Sequence, residues 1–477
     1  ELDCDDAPLV DLRDRAGWTA DSAPTVPKMA ALLAEAQLPA PVEKSLDVVS
    51  EGLCLVLGAP AVALAAAEQL AEHLAVTVLL PPGAELPESR AFDVVTGRLR
   101  SASGALGQFK VRIDVLQEMV LGGRGGFALT PPKDGASSSC DIILDLRGGT
   151  PLFPAHEKRE GYLRADPGYP AGVAAAILAA SHMIGTFEKP LYVRTEAVLC
   201  AHSRAGQTGC SRCLDLCPTG AISPNGDHVT VDPMVCAGCG ACSSVCPSGA
   251  ISYDAPPVAT TILRAQTLAK SYLSAGGSAP RLLIHDAHGA EMVRLAARHG
   301  RGLPADVIPM EMQALGAFGH AEALAALAAG FASVAWLPGP GVDRPALDTQ
   351  IALTRALARE GSATLIDTPD PDAMSDLLFD AFVPAPVSQP VRPMGTRRQI
   401  TRQAAKALNP EATHLPLPDG APYGAVMVNT DTCTLCLSCI SLCPSGALGD
   451  HPDKPQVRFQ EDACLQCGLC AKIARKT

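Results

Sequence analysis

Cys236-Ala237-Gly238-Cys239-Gly240-Ala241-Cys242-Ser243-Ser244-Val245-Cys246-Pro247 and Cys433-Thr434-Leu435-Cys436-Leu437-Ser438-Cys439-Ile440-Ser441-Leu442-Cys443-Pro444 both read C-x2-C-x2-C-x3-C-P. Three thiolates on so tight a loop reach three irons of a [4Fe–4S] cubane, and in such runs the fourth cysteine belongs to a neighbouring cluster. The proline after it lacks an N–H and turns the chain away. The sequence holds 18 cysteines, and 15 of them fall in two windows, 200–246 and 433–470. A zinc ribbon pairs two C-x2-C knuckles across a longer loop, so three cysteines at successive x2 spacing fit it poorly. The spacing predicts iron–sulfur clusters, not zinc and not disulfides.

Each full run has an incomplete partner. Upstream lies Cys210-x2-Cys213-x3-Cys217-Pro218, with Gln207 where the first cysteine belongs. Cys200 is the nearest earlier thiol, so 201–209 reads as an insertion and Cys200 as a displaced first ligand. The rival reading leaves Cys200 a spectator. Downstream lies Cys464-x2-Cys467-x2-Cys470, after which Cys-Pro should stand at 474–475, where the sequence has Ala474-Arg475. Either the pattern departs there, or the last residues are an incomplete end of a longer chain. Between the runs, Pro224-Asn225-Gly226-Asp227 predicts a hairpin turn. A second hairpin is expected between 446–448 and 456–459.

Residues 196–256 and 426–473 each resemble a bacterial dicluster ferredoxin module. The resemblance implies crossed ligation. Cys200, Cys210, Cys213 and Cys246 would hold one cluster, and Cys236, Cys239, Cys242 and Cys217 the next. In the second module, Cys464, Cys467, Cys470 and Cys443 would hold a third. Cys433, Cys436 and Cys439 are left with three thiolates, so three to four [4Fe–4S] clusters are expected, one of them [3Fe–4S] or vacant. Cys4, Cys54 and Cys140 remain over, and the last two lie in apolar runs that suit buried structural thiols.

Outside the modules the pattern is α/β. Residues 257–380 alternate helix Thr260–Ser274, strand Arg281–His285, helix Ala290–His299, strand Val307–Met312, helix Ala321–Gly330, strand Ser333–Leu337, helix Arg344–Arg359, strand Thr364–Asp367 and helix Asp372–Leu378. Short apolar strands between amphipathic helices predict a doubly wound parallel sheet. This segment resembles the delta-subunit domain of methyl-viologen-reducing hydrogenases, although it has no cysteine for the cluster that family carries there. Residues 46–195 read as a second doubly wound-like α/β domain, with strands at Leu53–Gly58, Val76–Leu80 and Cys140–Leu146 and a helix at Ala61–Leu74. Its Gly58-Ala59-Pro60-Ala61-Val62-Ala63 turn is not the glycine fingerprint of a dinucleotide site. A glycine loop at 122–126 could line an anion but reads better as a turn, and His202 reads as a solvated loop residue. Residues 1–45 form an arm, and 381–425 a linker around a helix at Arg398–Leu408.

Composition removes other classes. Apolar residues at 47% against 18% charged give a globular chain, and a net charge of −12 without a basic run excludes a nucleic-acid footprint. No run reaches a membrane span, and Ala171–Gly185 reads as a buried Ala-rich helix. The first residues show no secretory leader, so a cytoplasmic location is expected. The order α/β, dicluster, α/β, dicluster resembles multi-ferredoxin electron-transfer proteins associated with bacterial formate dehydrogenases and hydrogenases, which implies such redox partners. The leading expectation is an electron carrier or oxidoreductase subunit with no catalytic residues of its own. Its rivals are a flavin- or NAD(P)-linked oxidoreductase subunit, and clusters acting as folding staples.

Overall fold

The computed structural model describes residues 9–87, 91–120 and 128–474. Cys4 and the glycine loop at 122–126 lie outside the described residues. The fold is mixed α/β, with two open sheets and two small ferredoxin domains.

The run Leu53–Gly58 is buried from its second residue on and forms a central strand, as a parallel sheet covered on both faces requires. After helix α1 (Val26–Ala36) and strand β1 (Ser45–Ser50) come β2 (Leu53–Gly58), α2 (Pro60–Leu70), β3 (Ala75–Leu80), β4 (Asp93–Ser103), β5 (Phe109–Val120), β6 (Ala128–Leu129), β7 (Ala136–Cys140), β8 (Ile142–Leu146), β9 (Tyr162–Arg164) and α3 (Pro170–Ser181). The sheet order is β6-β5-β4-β3-β2-β8-β9, with β7 beside β5. Its β9-to-β4 half is parallel, and β4/β5 is an antiparallel hairpin. Helices α2 and α3 pack on Val56, Val78, Ile142 and Leu144. The opposite face gathers Leu55, Leu57, Phe109, Ile143, Phe153 and Tyr162, where the β5 side and the 150s loop cover it.

Three expectations here are corrected in detail. Helix α2 stops at Leu70. The run Cys140–Leu146 breaks into two strands at Asp141, whose carboxylate accepts the Glu51 and Leu53 N–H groups at 2.8 and 3.0 Å. Helix α3 buries only Ala176, Ile177 and Ala180, and Leu178 is 60% exposed, so the Ala-rich segment is a one-sided cover.

Next come β10 (Gly185–Pro190), antiparallel to β1, and the first ferredoxin domain. That domain comprises β11 (Val193–Thr195), β12 (Ser203–Arg204), β13 (Gln207–Thr208), α4 (Arg212–Leu216), β14 (Ile222–Asn225), β15 (His228–Val231), α5 (Ala241–Val245) and β16 (Ile251–Tyr253). The expected Asn-Gly hairpin is present, with Asn225 opposite His228.

The second α/β unit follows its sequence reading closely: α6 (Val258–Ser274), β17 (Arg281–His285), α7 (Ala287–His299), β18 (Val307–Glu311), α8 (His320–Ala328), β19 (Ser333–Leu337), α9 (Arg344–Leu357), β20 (Ala363–Leu365) and α10 (Pro371–Asp380). All four strands are parallel, in the order β18-β17-β19-β20. Asp286, Asp343 and Asp370 cap α7, α9 and α10 by accepting first-turn N–H groups. Helices α7 and α10 cover one face through Met292, Val293, Met374 and Leu378. The other face is covered by α6, α8 and α9, and by two segments read as peripheral. The arm buries Ala31 and Leu32 of α1 there, and Arg15 donates to the Pro309 carbonyl at 2.7 Å. The linker's helix α11 (Arg397–Leu408) lays Ala404, Ala405 and Leu408 into the same core.

The second ferredoxin domain closes the described chain with α12 (Ser438–Ser441), β21 (Leu448–His451), β22 (Lys454–Phe459) and α13 (Leu469–Ile473). Among the described residues no helix is long and apolar enough to cross a membrane.

Candidate metal centres

The 201–209 insertion decides how the first site is built. Its residues fold back as the β12/β13 hairpin, with Ala205 and Gly206 at φ 49° and 73° as a two-residue turn of left-handed residues requires. The Cys210 N–H donates to the Ala201 carbonyl at 3.0 Å, which brings Cys200 and Cys210 to the base of one hairpin. His202, expected in solvent, is buried, with Nδ1 3.0 Å from the Cys210 carbonyl oxygen. The closing hairpin leaves that residue only 6% exposed.

The remaining cysteines gather across the runs, not along them. Burial pushes the Cys213 thiol up to about 12, and the nearby charges of Cys246, Cys210 and Cys200 push the same way. Cys210 is raised by burial and by the same Cys246 and Cys200. Burial first, and then Cys239, Cys236, Cys217 and Cys213, hold Cys242 well above the ordinary thiol range. Cys236 too is raised by burial, Cys239 and Cys217. In the second domain Cys467 and Cys470 are raised by burial and by the proximity of Cys443 and Cys464. Cys439 is raised by burial and feels Cys436 and Cys433. Cys200, Cys210, Cys213 and Cys246 thus lie near one another, as do Cys217, Cys236, Cys239 and Cys242, with Cys213 near this second set as well, and Cys443 lies near Cys464, Cys467 and Cys470. Cys433, Cys436 and Cys439 line one cavity of about 360 Å³, together with Cys470 and Ala474.

Thiols packed this closely cannot all ionise without a compensating cation, and bound iron supplies that charge as the protons leave. The backbone is shaped for such a group. In three of the runs the residues on both sides of the second cysteine take positive φ: Gly238 and Gly240, Leu435 and Leu437, Gln466 and Gly468. Successive N–H groups in this conformation form an anion-binding concavity of the kind seen at iron–sulfur sites. Three of these residues are not glycine, and left-handed Leu or Gln costs about 1–3 kcal/mol each unless its surroundings hold it. Thus the donor set and the loops both fit cubane clusters. Cys217, Cys246 and Cys443 each have a Thr or Ser hydroxyl two residues on, at 3.7 Å. Burial raises Cys443, but N–H groups of Leu448, Ser445 and Ala447 and the Ser445 hydroxyl outweigh it and lower the thiol overall. No disulfide joins the described cysteines, and Cys54 and Cys140 are buried, each pushed up to about 12, chiefly by burial.

Sequence reading missed what seats the two domains. Gly240 and Gly316 let the Cys239 loop lie against the 315–317 turn, since a Cβ on Gly240 would meet the Ala317 backbone N at 2.7 Å and one on Gly316 the Cys239 carbonyl at 2.5 Å. Helix α11 stands between the domains. Arg397 donates to both oxygens of buried Glu322 at 2.8 and 2.7 Å and reaches the Ser243 carbonyl. On the other side Arg398 donates to the Asp462, Pro422 and Glu461 carbonyls at 2.7, 2.9 and 3.1 Å. The domains also touch directly. Lys472 Nζ donates to the Thr208 carbonyl at 2.5 Å, and a Cβ on Gly209 would lie 2.8 Å from Leu469 Cγ. Cys210 and Cys470 are the next residues on each side of that contact.

Residues 208–250 and 425–473 each match a 4Fe-4S dicluster domain family. A comparison with curated proteins finds none that matches the chain. The chain carries two dicluster ferredoxin domains, and these support [4Fe–4S] clusters and an iron–sulfur electron-transfer role.

Proposed function

We propose that this protein relays single electrons between oxidoreductase partners through clusters held in series. The observation that carries the reading is the Gly209–Leu469 contact, which sets the Cys210 loop of one domain against the Cys470 loop of the other. Clusters in these sites would supply reversible one-electron transfer. The chain's own residues order the sites. Cys433, Cys436 and Cys439 stand at the exposed end; Cys443, Cys464, Cys467 and Cys470 follow; Cys200, Cys210, Cys213 and Cys246 come next; Cys217, Cys236, Cys239 and Cys242 end the row against the 315–317 turn. The same reading takes 46–195, 196–256, 257–380 and 426–477 as the functional units. A net charge of −12 favours a partner with a basic docking face and salt-sensitive association. The domain order supports a formate dehydrogenase or hydrogenase in that place, and a cytoplasmic setting suits reduced thiols.

The flavin or nicotinamide alternative meets a physical obstacle in both α/β units. At the crossing between β17 and β19, where a doubly wound sheet takes its ligand, the Asp286 carboxylate accepts the Gly289 and Gly339 N–H groups at 3.0 and 2.8 Å. At the β2–α2 turn, Pro60 offers no N–H, and a Cβ on Gly58 would meet Leu146 at 3.2 Å.

The test is anaerobic purification, then iron, acid-labile sulfide and a dithionite titration. The relay requires broad visible absorption that bleaches and returns reversibly. Stoichiometric zinc without sulfide, or a flavin spectrum left after cluster bleaching, contradicts it.

A further inference from the structure

Arg159 reaches the first ferredoxin domain from outside it. It stands in the loop between β8 and β9 and is 7% exposed. Nη1 donates to the Gly104 carbonyl at 3.0 Å and Nη2 to the Thr219 carbonyl at 2.9 Å, and the guanidinium lies 4.7 Å from the centre of the Phe153 ring. The Thr219 hydroxyl is in turn 3.7 Å from Cys217 Sγ, so a single residue links this cation to a thiol of the Cys236, Cys239 and Cys242 site. Both acceptors are neutral, and Nε is buried with no partner. Among the described residues no carboxylate makes an ion pair with Arg159. Burial lowers its guanidinium from the ordinary value, and the charges of Asp232 and Cys217 act the other way. Asp232, however, is exposed and accepts from the Met234 N–H at 2.9 Å. Two other buried cations beside these sites are neutralised, Lys189 by Glu160 at 2.5 Å and Arg397 by Glu322 at 2.7 Å. Arg159 is not.

We propose that Arg159 is the counter-charge of the cluster at Cys217, Cys236, Cys239 and Cys242, and that it raises the reduction potential of that cluster. The inference rests on the relay reading above. A buried cation without a carboxylate is costly to desolvate, and a thiolate-ligated cluster is the anion beside it that offsets the cost. Reduction adds one electron to [4Fe–4S]2+ to give [4Fe–4S]+, and no bond forms or breaks; the electron comes from the neighbouring cluster in the row. A fixed cation held away from water stabilises that added negative charge, because little solvent screens it. Arg159 touches no cluster ligand, so it is a positioning residue that acts through its field and through Thr219. It gives the first α/β unit a part in the relay, holding the electron at the inner end of the row.

The experiment is a mediated redox titration of the full chain, reconstituted anaerobically and followed by electron paramagnetic resonance, with the site assigned by the resonance missing from Cys217→Ala. Arg159→Met should lower the reduction equilibrium constant of that cluster at least tenfold, about 59 mV for one electron. It should leave the Cys443, Cys464, Cys467 and Cys470 cluster unmoved. Arg159→Lys keeps the charge and should restore most of the loss. If Arg159→Met sheds the cluster, Arg159→Gln, which keeps a donor for the Thr219 carbonyl, takes its place in the same comparison. An unmoved potential in the iron-replete neutral variant overturns the proposal. An equal fall, or an equal loss of iron, in Arg159→Lys also overturns it and makes Arg159 a packing residue. Clusters that titrate reversibly while this potential stays fixed would sink this inference and spare the relay; clusters that never reduce would sink the relay itself.

Discussion

The two ferredoxin domains share a cysteine pattern and differ in what surrounds it. In the first, Cys200 and Cys242 are buried, and the Cys239 loop is pressed onto the second α/β unit by a glycine on each side. Burial raises the Cys236 thiol overall, and Lys189, held by Glu160 at 2.5 Å, offsets a small part of that rise. In the second, Cys433 and Cys436 are exposed, and the domain is tethered along one side by Arg398 and Arg402. Spacing alone fixes which cluster can form. Burial and N–H donors to sulfur set how easily a cluster is reduced and how long it survives. The buried pair therefore reads as the protected inner end of the row, and the exposed site as its port.

The largest expected effect breaks one cluster at a time. Cys217→Ala should abolish the resonance of the site built on Cys236, Cys239 and Cys242, and Cys443→Ala that of the site built on Cys464, Cys467 and Cys470. Loss of the Cys210 and Cys213 signal in Cys217→Ala would mean that ligation runs along the chain instead of across it. Cys200→Ala should by contrast remove the Cys210, Cys213 and Cys246 cluster. An unchanged spectrum there would make Cys200 a spectator beside a hairpin.

The seating of the domains sharpens the comparison at a smaller scale. Arg397 and Glu322 are both buried, so Arg397→Met strands a carboxylate and should cost about 3–5 kcal/mol. Arg402 meets Glu461 and Asp462 where all three are more than a third exposed, and Arg402→Ala should cost only about 0–1 kcal/mol. Urea titrations of the two variants give the ratio, and equal shifts would contradict the buried-against-tethered contrast.

The smallest effect separates structural from cluster thiols. Burial pushes the Cys54 and Cys140 thiols up to about 12, so both stay protonated at pH 8. Iodoacetamide on the cluster-free native protein should mark Cys433 and Cys436 first and leave Cys54 and Cys140 unmodified until denaturant is added. Labelling should rise with pH, because it follows the thiolate. Early modification of Cys54 would show that β2 is not the closed strand described.

What could be read in advance follows from how local each signal is. The cysteine loops and the Asn225-Gly226 turn are set within a few residues, and Arg281–His285 and Ser333–Leu337 carry unbroken apolar stretches at 282–284 and 334–337, so their reading needs no distant partner. The β4/β5 hairpin went unread because the burial of β5 alternates only in its first half and then gives way to partly exposed positions. The arm and linker looked peripheral because their anchors are charged. Lys28 is wholly buried, donates to the Pro304 carbonyl at 2.7 Å and is brought down to about 7, first by burial. No local pattern announces a lysine spent that way, nor the Arg397–Glu322 pair, whose partners lie 75 residues apart. Leu435, Leu437 and Gln466 hid the left-handed loop shape because glycine is its usual sign, although their place around each second cysteine would have given it.

The central claim is that the two domains form one series, and the Gly209–Leu469 contact is where it can be cut. The direct measurement is electron paramagnetic resonance of the fully reduced chain, wild type against Leu469→Glu, with Leu469→Met as the packing control and iron content matched. In wild type and Leu469→Met the signals of the two domains should be broadened and split by their mutual magnetic interaction. In Leu469→Glu the interaction between domains should vanish while the splitting within each domain persists. A wild-type spectrum already equal to the sum of two independent domains would contradict the series.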